Sequence, residues 1–166
     1  MKKIGLYPGT FDPITLGHVD IIRRAALVVD TLYVGIAVNK NKKTLFSADE
    51  RAEIVIKSLN NSLKSTSNIK VVTFDTLTVN YCKKIKASII FRGLRVVTDF
   101  EYEFQLAGMN NRLESKIQTI FLMADIENQL ISSNMVKEIA ELGGNVGKFA
   151  PKEAIVYLNK KFKNKK

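Results

Sequence analysis

The sequence predicts an α/β protein: a single Rossmann-like domain with a five-stranded parallel sheet and helices on both faces. Three observations predict it. Short apolar runs alternate with helix-period segments five times, and a further helix closes the chain. The runs are nearly continuous, as strands covered on both faces require. A chain of 166 residues with 46% hydrophobic content can bury one real core. Parallel strands joined through helices imply right-handed crossovers. The domain is expected over 1–159, with 160–166 as a lysine-rich C-terminal tail.

The elements follow in order. Ile4 to Tyr7 reads as the first strand. In "GHVDIIRRAALVVD", Val19, Ile22, Ala26 and Val29 recur at helical spacing. "TLYVGIAV" is the second strand. "SADERAEIVIKSL" opens with Ser47 and Glu50 at capping-box spacing, which starts a helix. "IKVVTF" is the third strand and "TLTVNYCKKIK" the next helix. "ASIIF" is the fourth strand, and "VVTDFEYEFQLAGMNNRL" a longer helix. "QTIFLM" is the fifth strand. "SSNMVKEIAEL" is a helix with serine at its start, "GGNVGKF" a loop, and Pro151 suits the first turn of the closing helix.

The net charge of +10 points to anionic partners without naming them. Much of it lies in the closing "KKFKNKK", read as a solvated or frayed end and not as a nucleic-acid patch. No apolar run approaches the roughly 20 residues that span a bilayer, so no membrane role is expected. "MKKIGLYPGT" reads as the first strand and not as a signal peptide. Cys82 stands alone, which rules out an internal disulfide and fits a cytoplasmic setting. It reads as a small apolar residue on a helix. Without G-x-G-x-x-G, dinucleotide redox chemistry loses its main support. "GGNVGKF" departs from a Walker A loop at Leu142 and Phe149. No cysteine–histidine set suits zinc, and no Ser–His–acid nucleophile suggests itself.

In a doubly wound sheet, ligands bind at the carboxyl ends of strands where strand order reverses. After strand one comes "PGTFDPITLGH". Gly9 permits close backbone approach, Thr10 offers a hydroxyl, and Gly17 and His18, the only histidine, open a helix whose N-terminus favours an anion. The helix dipole would lower the proton affinity of that histidine. Taken alone, the motif fits a tight turn with a capping histidine equally well. After strand two, Lys42 and Lys43 form either a solvated loop or an anion contact. After strand four, Arg92 and Arg95 offer forked donors for phosphate. After strand five, Ser132 and Ser133 fit a helix cap, and the same N–H groups suit a phosphate. Anion-friendly loops on one sheet edge suggest substrates rich in phosphate. Transfer at phosphorus then needs positioning and charge stabilisation more than covalent chemistry.

"GTFDPITLGH", with Thr15 and His18 as the ends of its T-x-G-H, resembles the first signature of the nucleotidyltransferase superfamily. "ISSNMVK" resembles that superfamily's second motif, and "RGLRVVTDFEYEFQLAGMN" resembles the phosphopantetheine adenylyltransferase family in particular. The likeness runs from Ile4 to about Pro151. It implies transfer of AMP from ATP to 4′-phosphopantetheine, giving dephospho-coenzyme A and pyrophosphate, by direct in-line attack without a covalent intermediate. It implies Mg²⁺ held mainly by substrate phosphates, with no dedicated metal ligands, and a homohexamer. His18, Lys42 and Arg95 carry catalysis by the same resemblance. It gives ATP to Thr10, Phe11, His18, Gly93, Leu94, Arg95, Glu103 and the run Asn128, Gln129, Leu130, Ile131, Ser132, Ser133 and Asn134. It gives the acceptor to Thr10, Lys42, Thr78 and Arg92.

The sequence departs from that family in one loop. Relatives usually carry an aromatic residue and a phenylalanine before the isoleucine, and a third Ser or Thr after it. Here Asn128, Leu130 and Asn134 stand in this run, which implies weaker or differently tuned ATP binding and not loss of activity. The competing enzyme is another member of the superfamily, a nicotinamide mononucleotide adenylyltransferase or a cytidylyltransferase. The competing class is a basic nucleic-acid-binding module, which the sequence does not support with aromatics interleaved on a basic strand.

Overall fold

Why the chain folds as an open sheet is visible in its burial pattern. Leu32, Val34 and Ile36 are fully buried and Gly35 and Tyr33 sit between them, so both faces of the second strand are covered. A computed structural model describes residues 2–39 and 41–163, side chains at 97 and 98 excepted. Its elements are β1 (Ile4–Gly9), α1 (Leu16–Ala26), β2 (Thr31–Ala37), α2 (Ala48–Ser62), β3 (Ile69–Phe74), α3 (Thr78–Ile85), β4 (Ile89–Leu94), α4 (Val97–Leu113), β5 (Gln118–Met123), α5 (Ser133–Glu141) and α6 (Lys152–Lys163). A short 3-10 turn, Ile126–Asn128, precedes α5.

The five strands are all parallel, in the order β3-β2-β1-β4-β5. Tyr7 and Phe91 pack into the larger core with α1, α2, α5 and α6, whereas Leu6 and Ile90 face the other way against Val79 and Cys82 of α3. The fold class expected from the alternation is therefore the one observed. Burial pushes the Cys82 thiol up to about 12, as befits a packing residue.

Three expectations need correction. β4 runs on through Leu94, so Arg92, Gly93 and Leu94 belong to the strand and not to the loop after it. Alternation hides this, because Arg92 and Gly93 break the apolar run of "ASIIF" while still pairing with Phe121 and Leu122 of β5. Val29 lies beyond α1, which ends at Ala26, and still reaches the core. The boundary drawn at 159/160 falls inside α6, which continues to Lys163. Lys161 is held there by Glu50 at 3.3 Å and lies over the Phe46 ring. Residues 164–166 of the expected tail lie outside the described residues.

Candidate active site

Strand order reverses between β1 and β4. Their paired register covers only Gly5↔Ile89 and Leu6↔Ile90, whereas β1 and β2 pair over six positions. Beyond Leu6 the two strands make room for a cavity of about 640 Å³. It opens at the carboxyl ends of the strands, where doubly wound sheets bind ligands.

His18 stands at the third helical position of α1, and Thr15 is the N-cap. The main-chain N–H of Thr15 donates to His18 Nδ1 at 3.0 Å, and the His18 N–H donates to Thr15 Oγ1 at 3.4 Å. The histidine thus takes the place that glutamate fills in an ordinary capping box. This fixes its chemistry. A ring nitrogen that accepts a main-chain N–H carries no proton, so neutral His18 holds its proton on Nε2. Thr15 Oγ1 also lies 2.9 Å from Nδ1. Phe11 packs edge-on against the imidazole, with centroids 5.1 Å apart. Burial first, then the charges of Arg95 and Arg92, lower the His18 pKa to about 4. The direction is the one expected at a helix N-terminus, and desolvation and two arginines act the same way. The result is a neutral imidazole with one donor, in the wall of the cavity.

Phe11 reaches this position by an unusual backbone. Its φ is 49°, in the left-handed region that few non-glycine residues adopt, and the Asp12–Pro13 bond that follows is cis. The ring folds back over β1, where a Cβ on Gly9 would stand only 2.8 Å from it. That contact explains the glycine in "PGTF".

The two arginines are held alike. Arg92 donates through Nε and Nη2 to the Glu103 carboxylate and through Nη1 to the Pro8 carbonyl, the Nε bond being 2.6 Å and the Pro8 bond 2.9 Å. Arg95 donates through Nε and Nη2 to Asp99, at 3.0 and 3.2 Å, and through Nη1 to the Ile131 carbonyl at 3.0 Å. A guanidinium has five N–H donors. With three of its five N–H groups engaged, each arginine has donors left over for an anion such as phosphate. Burial works against the charge of Arg92, but the Glu103 hydrogen bonds and charge outweigh it and its pKa is raised. Glu103, 9% exposed, is the carboxylate that makes a half-buried arginine tolerable.

The loop of β1 is tied down from every side. Asp12, 3% exposed, accepts from the Leu45 and Phe46 N–H groups at 2.9 and 3.0 Å and from Lys137 Nζ at 2.8 Å. Buried Arg51 donates through Nη1 to the Thr10 and Ala37 carbonyls at 2.7 and 3.1 Å. Ser133 Oγ donates to the Pro13 carbonyl at 2.8 Å. Leu16 N–H donates to the Phe149 carbonyl, so the start of α1 is anchored to the loop before α6 while Gly17 stands at the cavity wall.

The structure brings most of the expected residues together. Thr10, Phe11 and His18 line the cavity with Lys42 and with Thr78, the first residue of α3. Arg92, Gly93, Arg95 and Glu103 form the β4–α4 side, and Ile131, Ser132, Ser133 and Asn134 the α5 side. Leu94, Asn128, Gln129 and Leu130 stand outside it. Leu94 and Gln129 instead border an adjoining apolar cavity of about 570 Å³ that shares Arg95. Sequence reasoning missed Asp12, Arg51, Asp99 and Lys137 as organisers of the site. Asp12 lies inside the quoted motif and Lys137 closes "ISSNMVK", so both were within reach. Arg51 gives little local sign, because the site carbonyls it holds are 14 and 41 residues away.

Comparison with known proteins defines the class first. Residues 6–139 match the cytidylyltransferase-like family. The fold is shared with the Plasmodium falciparum nicotinic acid mononucleotide adenylyltransferase complexed with APC, at a TM-score of 0.73, 18% identity and 96% coverage of both chains. A putative nicotinate-nucleotide adenylyltransferase from Vibrio parahaemolyticus gives 0.72 at 16% identity, covering 100% of this chain and 98% of that one. Closer likeness lies elsewhere. The phosphopantetheine adenylyltransferase of Pelagibacter ubique (strain HTCC1062) is 50% identical over 163 residues, 98% of this chain and 99% of its own. That of Rhodospirillum rubrum is 53% identical over 150 residues, 90% and 87% of the two chains. The chain therefore belongs to the phosphopantetheine adenylyltransferase family, within the cytidylyltransferase-like nucleotidyltransferases.

Proposed function

We propose that the protein transfers AMP from ATP to 4′-phosphopantetheine, giving dephospho-coenzyme A and pyrophosphate in coenzyme A biosynthesis. The observation that carries the chemistry is the bond from the Thr15 N–H to His18 Nδ1, which leaves Nε2–H as a neutral donor, beside two arginines with N–H groups to spare. An oxygen of the acceptor phosphate attacks the α-phosphorus in line. The bond from that phosphorus to the bridging oxygen breaks, and pyrophosphate leaves with the electron pair. The attacking oxygen is already anionic, so no general base is needed and no covalent intermediate forms. Negative charge builds on the α-phosphoryl oxygens, where a fixed donor is worth most. His18 and Arg95 serve those oxygens, and Lys42 and Arg92 hold the acceptor phosphate. Thr10 and the Phe11 N–H meet both substrates, and Thr78 lines the acceptor arm. Gly93, Leu94, Glu103 and the run from Asn128 to Asn134 serve ATP, with Leu94 and Asn128, Gln129 and Leu130 acting from the rim.

Mg²⁺ belongs to this reading as an ion carried on the polyphosphate. Among the described residues no group of three His, Cys, Asp or Glu side chains could hold a metal. The cavity carboxylates Asp12, Asp99 and Glu103 are each paired with a cation, Lys137, Arg95 and Arg92. The donor set therefore suits an ion with phosphate and water ligands. When bound, it supplies charge neutralisation on the leaving pyrophosphate. The homohexamer is part of the same reading. It is supported by α4, which exposes Tyr102, Met109 and Leu113 on one face and Phe100 and Phe104 on the opposite one, apolar surface that further copies would cover. No helix among the described residues is long and apolar enough to cross a membrane, and a cytoplasmic setting completes the reading.

The test is pyrophosphate release from ATP or CTP with a panel of phosphate acceptors. Release that requires 4′-phosphopantetheine with ATP is the expected result. Turnover of nicotinamide or nicotinate mononucleotide in its place, or preference for CTP, overturns the substrate assignment. Light scattering of the parent and of Phe104→Asp checks the assembly.

A further inference from the structure

We propose that Asp12 is a positioning residue that couples the acceptor loop to the phosphate loop of α5, so that occupancy of one orders the other. The proposal rests on the substrate reading above only for the names of the two ligands.

The Asp12 carboxylate is buried and engaged on both oxygens. Oδ1 accepts the Phe46 N–H, and Oδ2 accepts both the Leu45 N–H and Lys137 Nζ. Leu45 and Phe46 end the loop that carries Lys42, whose own N–H donates to the Asn39 carbonyl within that loop. Lys137 lies on α5 one turn beyond Asn134, and its side chain is 21% exposed at the cavity wall. One buried anion thus joins two loops that sit on opposite sides of β1 and are 91 residues apart in sequence, taking Lys137 against Phe46.

A carboxylate in this position cannot be traded for a neutral group without loss. It satisfies two main-chain donors and one ammonium, and burial denies the carboxylate the water that would replace them. Asparagine offers one accepting oxygen and would turn its NH₂ toward one of these donors. Two loops that share a counter-ion also share a free energy. Polyphosphate at the α5 side draws on Lys137, which shifts the Asp12 carboxylate and with it the Leu45–Phe46 amides. Ordering the acceptor loop by its ligand restrains Lys137 in the same way, since coupling is reciprocal. Ser133, whose hydroxyl is bonded to the Pro13 carbonyl, makes the α5 side of the link rigid.

The experiment uses the full chain and reads the loop directly. Hydrogen exchange of segment 41–46 is followed in the parent, in Asp12→Asn and in Lys137→Met, with and without Mg·ATP at saturation for each variant. In the parent, Mg·ATP is expected to slow exchange at Leu45 and Phe46 by about fivefold or more, the lower end of ordinary coupling. In Lys137→Met, which leaves the Asp12–amide bonds in place, that protection should disappear although Mg·ATP still saturates. A structural role alone would lower the melting temperature and leave the ligand-dependent protection intact. Equal protection in the parent and Lys137→Met overturns the proposal, and so does absence of protection in the parent. A parent that shows the coupling yet transfers no AMP to 4′-phosphopantetheine would overturn the substrate reading and leave this one standing.

Discussion

The segment from Gly9 to His18 lines the cavity, the segment from Asp125 to Leu130 lies beside it, and the two are built in opposite ways. The first is held by groups from four other parts of the chain: Arg51 of α2, the Leu45–Phe46 amides, Lys137 and Ser133 of α5, and the Phe149 carbonyl. The second is held by local bonds. Ile126 N–H donates to Asp125 Oδ1, Asn128 N–H to the Asp125 carbonyl and Gln129 N–H to the Ile126 carbonyl. Ile126 and Leu130 are 82% and 79% exposed, whereas Phe11 is 1% exposed. The contrast separates where this site keeps its chemistry from where it keeps its latitude. In the proposed function, the donor that serves the reacting phosphorus is one that the fold itself holds in place, as electrostatic preorganisation requires. The rim that would meet the nucleotide in that reading is the more exposed of the two and is bonded only locally.

The largest effect is expected at His18. His18→Ala should cost about 10²–10³-fold in kcat, like other donors aimed at developing charge, with a smaller change in KM. Single-turnover AMP transfer by the folded variant, with both substrates saturating, measures it. A rate within about threefold of the parent would leave His18 as a helix cap only.

Next comes Arg92→Ala. Loss of a charge-assisted phosphate contact should raise KM for 4′-phosphopantetheine by about 10–100-fold, from roughly 1.5–3 kcal/mol. ATP binding should move much less. Because the change also strands buried Glu103, Arg92→Ala/Glu103→Gln is the control that separates recognition from folding.

Arg51→Met tests the scaffold under the first loop. It leaves the Thr10, Ala37 and Ser47 carbonyls without this donor. The expected loss is about 2–4 kcal/mol of stability, read by denaturant unfolding.

His18 also offers a pH test, made clean because it is the only histidine. Its folded pKa of about 4 lies below the ordinary value of 6.5. The folded state therefore binds fewer protons between those limits than the unfolded chain. The stabilising contribution is full above about 6.5 and is lost as pH falls toward 4. Nitrogen chemical shifts of the single imidazole should report the Nε2–H tautomer throughout the neutral range, and bound polyphosphate should raise the pKa. An Nδ1–H tautomer would overturn the donor assignment.

The smallest effect is expected in the second segment. Leu130→Ala should change stability by less than about 0.5 kcal/mol, as for an exposed side chain. Its KM for ATP should shift by only a few-fold. A loss of activity comparable to His18→Ala would erase the distinction between the two regions.

The alternation, and with it the parallel sheet, was legible from the residues alone, because apolar runs and helix-period segments are local patterns set by side-chain geometry. So was the place of His18 at a helix start, since capping signals are local too. Local pattern left open whether that histidine caps the helix or faces the cleft. The structure answers that both hold: capping uses Nδ1, and Nε2–H remains for the cavity. The rest needed the folded chain. That Arg92 lies within β4 and is held by Glu103, and that Asp12, Arg51 and Lys137 tie distant segments together, is set by tertiary contact, whereas Asp99 stands only four residues after Arg95. The tertiary contacts depend on strand order and on burial, which turn isolated charges into pairs because an unpaired charge is too costly to bury. No spacing along the chain encodes that requirement.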